Sequence, residues 1–520
     1  MIKTSQINCY PDQVNNSDAL RKILAQKLNK QPHEIKDFHI QRRSIDARGN
    51  RVMFTMKIEY SLSGKISKSV KDAFKPRSVS KGEPVIVVGM GPAGIFAALR
   101  LIEKGLKPVI LERGKSVDER KYDISKLHRN DAVPGDSNYA YGEGGAGTYS
   151  DGKLYTRSKK RGDTEYVLRA LHQFGAADDV LVDARPHVGT DKLPAIVKRM
   201  RQAIIDAGGE VHFNTKVTDF EVENKAFKAA LCADGSRFEA KHLILATGHS
   251  ATDIYRWFDR NNFPLEQKAF ALGVRIEHPQ ELINKIRYGK DSRNPNLPAA
   301  EYKAAVQTKD RGVFTFCMCP GGSVVPASTE NDRLVVNGMS NSRRNMKWAN
   351  AGLVAGVTPQ DIYKAKKDES PLAGLNFRDE MEKQAFLNGG EGLIAPAQRV
   401  GDFVKGRLSA DVPQGSYSPG MIASPMHFWL PPFIAESLRF GLKKINKQLK
   451  GFITNDAVVL GLESRTSSPV RLPRDKKTYQ YPGIAGMYPA GEGAGYAGGI
   501  VSSAVDGINI ADTIVNTGIR

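Results

Sequence analysis

The sequence predicts an α/β fold whose largest unit is a parallel, doubly wound β-sheet. Residues 85–88 form an apolar, β-branched run, which is typical of a strand buried on both faces. A segment with helical spacing follows, and a second apolar run at 109–111 completes a strand–helix–strand unit. Since 40% of the 520 residues are hydrophobic, the chain can bury ordinary cores in about two to four domains.

The turn between the first strand and its helix is rich in glycine. Gly89, Gly91 and Gly94 form a G-x-G-x-x-G pattern directly after the strand. In such a unit the first glycine makes the tight turn, the second lets the main chain approach a diphosphate, and the third lets the helix pack against the sheet. The helix N-terminus supplies main-chain N–H groups for the phosphates. The pattern therefore predicts a dinucleotide-binding site.

Glu112 ends the second strand, about 20 residues beyond the glycines. A carboxylate at this place accepts hydrogen bonds from a ribose diol, and it repels a 2′-phosphate. We therefore expect an unphosphorylated adenosine ribose here, and NADP is disfavoured at this site.

Three segments resemble the FAD-binding domain of the glutathione-reductase-type flavoproteins. Ala98 and Gly105 extend the glycine pattern to the FAD fingerprint of that family, together with "GPAG" and "LER". Residues 243–248 ("LILATG") resemble the family's strand and turn beside the cofactor, and residues 486–514 resemble the C-terminal segment that closes over the flavin. The resemblance implies a Rossmann-like FAD-binding domain with FAD as the cofactor.

The resemblance also implies roles for individual residues. In that family an acidic residue, here Glu492, faces the ribityl-phosphate region, and a helix after Gly498 and Gly499 points its N-terminus at the flavin ring. The residues implied to hold FAD are Gly89, Gly91, Pro92, Ala93, Gly94, Glu112, Arg113, Gly144, Gly145, Gly147, Thr148, Val217, Thr247, Gly248, Arg465, Gly491, Glu492, Gly498, Gly499 and Ile500.

Further segments resemble a bacterial group labelled FAD-dependent, or NAD(FAD)-utilizing, dehydrogenases. They are 141–157 ("YGEGGAGTYSDGKLYTR"), 271–280 ("ALGVRIEHPQ"), 316–322 ("FCMCPGG"), 335–342 ("VVNGMSNS") and 463–471 ("ESRTSSPVR"). The likeness covers most of the chain after residue 80, and more loosely the N-terminal part through "SIDAR". It implies a cofactor and a fold, but no particular substrate.

The pattern of motifs divides the chain into four parts. We expect a small basic α+β domain with its linker at 1–80, the first part of the FAD-binding domain at 81–262, an inserted α+β substrate or cap domain at 263–452, and the second part of the FAD-binding domain at 453–520. The inserted part contains no second strand, glycine turn and helix, which argues against a separate NAD(P)H-binding domain.

The N-terminal domain combines one predicted helix with two predicted strands. Helical spacing begins after Ser17 or Asp18, either of which is a candidate N-cap. Residues 35–45 and 50–62 alternate like two strands of a hairpin, with a turn at 48–50. The following stretch to residue 83 is polar and basic, and it is expected to be a linker or an exposed helix.

The net charge of +20 exceeds what one anionic cofactor requires. Scattered basic clusters make RNA an alternative partner, contacted through the N-terminal domain, whereas solubility is the simpler explanation. The polar N-terminus and the lack of long apolar runs predict a cytoplasmic protein without a membrane span. The spacing of the four cysteines predicts neither a disulfide framework nor a metal site.

Four side chains are candidates for catalysis beside the flavin. Cys317 and Cys319 share one face if they lie on a strand, either as a redox pair or as two buried thiols. His278 follows Arg275 and Glu277 and is a candidate proton donor or acceptor, although a hydrogen-bonded structural histidine is the favoured explanation. His427 lies beside aromatic residues that would line either a pocket or a core.

These observations predict a FAD-dependent oxidoreductase that transfers hydride through flavin N5. The expected donor is NAD(P)H, bound transiently, because no second dinucleotide unit is found. The substrate stays open between a small molecule and RNA, and the latter would make the protein a base-modifying or RNA-reducing enzyme. A non-catalytic flavin-binding module is a further alternative.

Overall fold

The computed structural model describes residues 2–67, 72–156 and 162–518. The basic cluster "RSKKR" at 157–161 and part of the predicted linker, 68–71, lie outside these residues.

The N-terminal unit is an antiparallel sheet covered by one helix. Its elements are β1 (Ile2–Cys9), α1 (Ser17–Lys27), β2 (Asp37–Asp46) and β3 (Met53–Ser61), with the strand order β1-β3-β2. The helix and the hairpin were predicted, but the cap of α1 is Asn16, whose side chain accepts from the N–H of Ala19 at 3.0 Å. The edge strand β1 was not predicted, because its first residues are polar and exposed.

The second unit begins with the predicted strand, glycine turn and helix. Its elements are β4 (Pro84–Val88), α2 (Pro92–Glu103), β5 (Lys107–Leu111), α3 (Val117–His128), α4 (Thr164–Gln173), α5 (Asp179–Val182), α6 (Leu193–Asp206), β6 (Glu210–His212), β7 (Val217–Glu223), β8 (Ala226–Cys232), β9 (Arg237–Glu239), β10 (His242–Leu245) and α7 (Thr252–Arg260). Strands β7, β8 and β9 form a separate antiparallel meander.

The third unit, here called the cap, contains a large sheet and its helices. Its elements are β11 (Glu266–Gln267), β12 (Phe270–Pro279), α8 (Gln280–Tyr288), β13 (Ala305–Gln307), β14 (Gly312–Pro326), β15 (Val336–Ser340), β16 (Trp348–Val357), α9 (Pro359–Lys366), α10 (Ala373–Asn388), β17 (Ala395–Arg399), α11 (Val400–Lys405), β18 (Met421–Ala423), α12 (Met426–Trp429), α13 (Pro432–Gln448) and β19 (Val458–Glu463). The chain ends with β20 (Val470–Arg471), β21 (Met487–Pro489) and α14 (Ile500–Gly518).

The parallel sheet unites distant parts of the chain. Its strand order is β21-β10-β4-β5-β6, and every pairing in it is parallel. Helix α14 packs on α2 so closely that a Cβ at Gly507 would lie 2.1 Å from the carbonyl oxygen of Ala93. The early, middle and late segments thus meet in one sheet, and their carboxyl ends share one edge.

The cap sheet has the order β13-β14-β16-β12-β19-β17-β18, with β15 paired to β14. Strand β19 lies in its interior, between β12 and β17. The chain therefore leaves the cap sheet after Glu463 rather than at the boundary expected at residue 453. The boundary predicted at residue 453 is wrong because the apolar residues of β19 fit a strand of either sheet.

Candidate functional site

A cleft of about 820 Å³ lies between the parallel sheet and the cap. Its lining combines the turns after β4, β5 and β10 with the segment before α14 and with residues of β14 and β15. Ligands of open α/β sheets bind outside the carboxyl ends of the strands. The volume falls in the range of ligand sites.

The glycine turn forms one end of the cleft. Gly89 has a φ of 99°, and a Cβ there would lie 2.5 Å from the carbonyl oxygen of Ala246. A Cβ at Gly94 would lie 2.0 Å from the carbonyl oxygen of Gly89. Gly91 is the N-cap of α2, followed by Pro92 at the first helical position. The first N–H groups of a helix have no partner within it, so those of Ala93 and Gly94 are available to an anion in the cleft.

Glu112 lines the same end and is buried. Its Oε2 accepts from the N–H of Met90 at 2.8 Å, and its Oε1 accepts from Gly114 and Gly142, each at 2.9 Å. The carboxylate therefore holds the loops of the turn together. Because each oxygen has two lone pairs, Oε2 keeps one acceptor position for a ribose hydroxyl.

A flat, charged pocket borders Glu112. The guanidinium of Arg113 lies 4.1 Å from the centre of the Tyr141 ring and pairs with Asp136 at 2.6 Å. Lys216 and Val217 complete this part of the lining. This part of the lining offers apolar and π surfaces beside a fixed cation.

The segment at 144–148 supports the turn from the other side. Gly145 and Gly147 line the cleft. Gly144 and Thr148 lie behind the lining: the N–H of Gly144 donates to Met90, and the hydroxyl of Thr148 donates to Glu143. These two residues position the turn and are not among the described residues that line the cleft.

The N-terminus of α14 forms the opposite end of this wall. Gly491, Glu492, Gly498, Gly499 and Ile500 all line the cleft. Glu492 accepts from the N–H of Gly499, and burial raises the pKa of its carboxyl. The φ of Gly499 is 95°, a conformation that favours glycine. The N–H groups of the first turn of α14 therefore face the cleft.

Thr247, Gly248 and His249 continue the wall after β10. Burial, reinforced by the nearby Arg378 and Arg465, lowers the pKa of His249 to about 3, so its imidazole is neutral at pH 7. The Nδ1 atom of His249 has no hydrogen-bond partner among the described residues. Arg465 also lines the cleft and is held by Glu382 at 3.0 Å.

A group of charged side chains borders the cleft: four of them line it, and Arg275 lies behind the lining. Arg344 donates to both carboxylate oxygens of Asp151, at 3.1 and 2.6 Å. Arg275 pairs with Glu463 at 2.9 Å, and both are fully buried. Lys153 lies 3.7 Å from Asp151. We call Asp151, Lys153, Arg275, Arg344 and Glu463 the charged wall.

Cys317 lies at the charged wall and Cys319 lies behind it. Cys317 is half-buried and lines the cleft, whereas Cys319 is fully buried. The pairing of β14 with β16 shifts register between Phe316 and Cys319, and Cys317 has a φ of 43°. This bulge turns Cys317 toward the cleft, so the two thiols differ in exposure despite their shared strand.

The structure does not bring the two candidate histidines to the cleft lining, as far as the described residues go. His278 is buried, and its Nε2 lies 2.9 Å from the carbonyl oxygen of Phe452, whose ring packs on the imidazole. His427 lies 2.9 Å from the side-chain nitrogen of Gln398. The environment of each histidine is thus that of a structural residue, the alternative left open from the sequence.

Several residues of the site were not among the predicted site residues. Tyr141, His249 and the pair Asp151–Arg344 were not predicted. Arg344 lies in a basic cluster that resembles a solvent-exposed patch. The internal ion pair of Arg344 with Asp151 becomes visible only in the folded chain, where the two side chains lie 2.6 Å apart.

The described part of the chain contains neither a membrane-spanning helix nor a cluster of metal ligands. Within 2–67, 72–156 and 162–518, no helix is long and apolar enough to cross a membrane. Within the same ranges, no three His, Cys, Asp or Glu side chains are grouped so that they could hold a metal ion.

Two family models match the chain. Residues 269–466 match "FAD-dependent protein, C-terminal domain-like", and residues 1–61 match "Domain of unknown function (DUF8436)". The first match ends three residues beyond β19, in agreement with its place in the cap sheet.

Relatives were found among proteins of known sequence. An uncharacterized protein of Clostridium beijerinckii is 40% identical over 533 residues, which cover 99% of this chain and 98% of that protein. A thiamine thiazole synthase of Methanococcus vannielii is 25% identical over 179 residues, 32% of this chain and 57% of that protein.

Solved structures also resemble the chain, but distantly. A flavoprotein/dehydrogenase from Cytophaga hutchinsonii is 14% identical, with a TM-score of 0.36 and coverage of 84% of this chain and 80% of that one. A geranylgeranyl bacteriochlorophyll reductase-like protein from Thermoplasma acidophilum is 13% identical, with a TM-score of 0.34 and coverage of 84% and 78%. Similarities this distant carry no argument about function.

Proposed function

We propose that the chain, which belongs to the same family as the Clostridium beijerinckii relative and matches a FAD-dependent C-terminal domain over residues 269–466, is a FAD-dependent oxidoreductase. The observation that carries the proposal is that two helix N-termini, those of α2 and α14, open on one cleft. Helix N-termini favour negative charge, and FAD carries a diphosphate and a ring that becomes electron-rich on reduction.

The residues present fit FAD along the length of the cleft. The main-chain N–H groups after Gly91 would hold the diphosphate, where a side chain would intrude. Glu112 would accept from the adenosine ribose, and the pocket beside Arg113 would receive the adenine. The first turn of α14 would face the ring.

Bound FAD would supply two-electron chemistry by accepting or donating a hydride. The N-terminus of α14 would stabilise negative charge that develops on the ring. His249 is neutral at pH 7 and so adds no positive charge beside it.

The electron donor we propose is NAD(P)H, bound transiently. In the fully described cap, the large sheet takes the place that a second glycine-turn domain would need. A nicotinamide donor would therefore enter the same cleft from the cap side, where apolar residues such as Val335 and Val336 meet the charged wall.

The test is anaerobic mixing of the FAD-loaded protein with NADH or NADPH, followed by absorbance. Bleaching of the flavin spectrum by either nucleotide supports the oxidoreductase. A protein that cannot be loaded with FAD contradicts the cofactor. A loaded protein that neither nucleotide reduces, but that dithionite does, contradicts the donor alone.

RNA as the substrate stays a prediction. Some basic side chains that motivated it are engaged in ion pairs: Arg43 pairs with Asp183 at 2.8 Å and with Asp179 at 3.0 Å, and Arg344 is buried against Asp151. The non-catalytic module also stays a prediction, and rapid reduction by a nicotinamide nucleotide would contradict it.

A further inference from the structure

Cys317 is the cysteine that the fold leaves open to small molecules. The side chains of Cys9, Cys232 and Cys319 are buried, whereas Cys317 is half-buried and lines the cleft. The bulge of β14 sets it apart from its neighbour Cys319, which follows two residues later on the same strand. The chain thus holds one accessible thiol with a second thiol directly behind it.

The side chains around Cys317 favour its thiolate form. Arg275 donates to the carbonyl oxygen of Cys317 at 2.8 Å and to the sulfur of Cys319 at 3.4 Å. The thiol of Cys319 donates to the carbonyl oxygen of Cys317 at 3.4 Å. The neighbouring Cys319 lowers the pKa of the Cys317 thiol, and the charge of Lys153 lowers it further.

Lys153 has its anionic neighbour in the charged wall, Asp151, at 3.7 Å, which is too long for a hydrogen bond. Both oxygens of Asp151 accept from Arg344, and Arg275 pairs with Glu463. The Nζ atom of Lys153 is buried and finds no hydrogen-bond acceptor among the described residues. A thiolate at Cys317 would satisfy this ammonium group electrostatically.

Charges of both signs face the thiol. Lys153 and Arg275 favour the thiolate, while Asp151 opposes it. Glu463 and Glu492 also interact unfavourably with it, and burial raises the pKa of both carboxyls. Glu463 already pairs with Arg275, and the pKa of the Cys317 thiol is lowered on balance, chiefly by Cys319.

We infer that Cys317 is a peroxide-reactive site of the cleft, and that Cys319 resolves its oxidised form. An accessible thiolate poised beside a second cysteine is the arrangement typical of redox-sensing cysteines. The inference does not depend on FAD, since every group it uses belongs to the polypeptide.

The reaction balances with a hydroperoxide as the oxidant. The Cys317 thiolate attacks one oxygen of hydrogen peroxide and the O–O bond breaks. The leaving hydroxide takes one proton and becomes water. The sulfenic acid so formed condenses with the Cys319 thiol, which releases a second water and forms a disulfide. The first step passes two electrons from sulfur to the peroxide, and the second shares this oxidation between the two sulfur atoms. Two electrons from external thiols restore both cysteines.

The experiment exposes the reduced, FAD-loaded protein to hydrogen peroxide with dimedone, which traps sulfenic acid, and maps the adducts by mass spectrometry. We expect an adduct at Cys317, and none at Cys9 or Cys232, which serve as internal controls. Without dimedone, Cys317 and Cys319 should form a disulfide, whereas Cys319→Ser should keep a sulfenic acid at Cys317.

Two variants test the role of the charge. Lys153→Met should slow the oxidation of Cys317 about tenfold near pH 7, because the thiolate loses its cation, and Lys153→Arg should keep most of the rate. Equal melting temperatures and FAD content would show that both variants are folded. Oxidation of Cys9 or Cys232 as fast as Cys317, or an unchanged rate in Lys153→Met, would overturn the inference.

Discussion

The glycine turn and the charged wall face the same cleft, but they are built by different means. The turn presents main-chain N–H groups, and its key residues matter because they have no side chain. The charged wall consists of long side chains from segments far apart in sequence, such as Asp151 with Arg344. A site made of main chain leaves a short pattern in the sequence, whereas a site made of side chains exists only after folding.

The glycine turn should be the region that is most sensitive to an added methyl group. In Gly94→Ala the new Cβ would meet the carbonyl oxygen of Gly89 at 2.0 Å, and neither backbone can yield. We expect a loss of about 4 kcal/mol in the free energy of unfolding, with loss of FAD. Urea unfolding measures it. Gly105→Ala is the control for an added methyl group in open space, although its φ of 85° adds some strain. A Gly94→Ala protein of normal stability would contradict the packing described.

The charged wall should respond to the loss of a single charge. Arg344→Met leaves Asp151 buried beside Lys153 without its bidentate partner. We expect a loss of about 3 kcal/mol in unfolding free energy, since breaking a buried pair strands the remaining charge.

The control for Arg344 is Arg185→Met, which removes a largely exposed guanidinium 3.5 Å from Glu301. It should cost less than about 1 kcal/mol. If the two variants were equally stable in chemical denaturation, the wall would contribute no more than an ordinary surface pair.

The cap should also carry a pH dependence that the glycine turn lacks. Burial raises the pKa of Glu277, on β12, from 4.5 to about 7. The unfolded chain therefore loses this proton first, and the carboxyl destabilises the fold increasingly as the pH rises from about 4.5 to about 7.

Glu277→Gln should remove this dependence while keeping a hydrogen-bond acceptor for Ser416. The stability of the variant relative to the native protein should grow over this pH interval by about 2 to 3 kcal/mol. Unfolding curves at several pH values measure it. A difference that is constant with pH would show that Glu277 is ionised in the folded protein.

The smallest expected effect on stability concerns Gly91, which lies in the same glycine turn as Gly94. A Cβ at Gly91 would have its nearest neighbour at 4.0 Å, the Cα of Gly145, so Gly91→Ala should fold normally. The methyl group would instead occupy space that the diphosphate needs. We expect about tenfold weaker FAD binding, measured by flavin fluorescence, with an unchanged melting temperature. A variant that binds FAD normally would place the diphosphate elsewhere.

The sequence was informative where local physics decides the structure. Strand β4, the glycine turn and α2 were predicted because apolar β-branched residues, glycines and helical spacing act over a few neighbours. The place of β19 was not, since its apolar residues suit either sheet and only long-range pairing selects one. Likewise, nothing around Arg344 marks it as buried, because burial of a charge depends on a partner distant in the chain.

The packing of α14 on α2 has a consequence for biosynthesis. The first glycine turn leaves the ribosome long before α14, which supplies the opposite wall and contacts Ala93 through Gly507. A nascent chain therefore exposes half of a cleft throughout most of its translation. We therefore expect a cofactor to load only after α14 has been made, and a chain whose synthesis stops before α14 would leave the apolar face of α2 uncovered for chaperones to recognise.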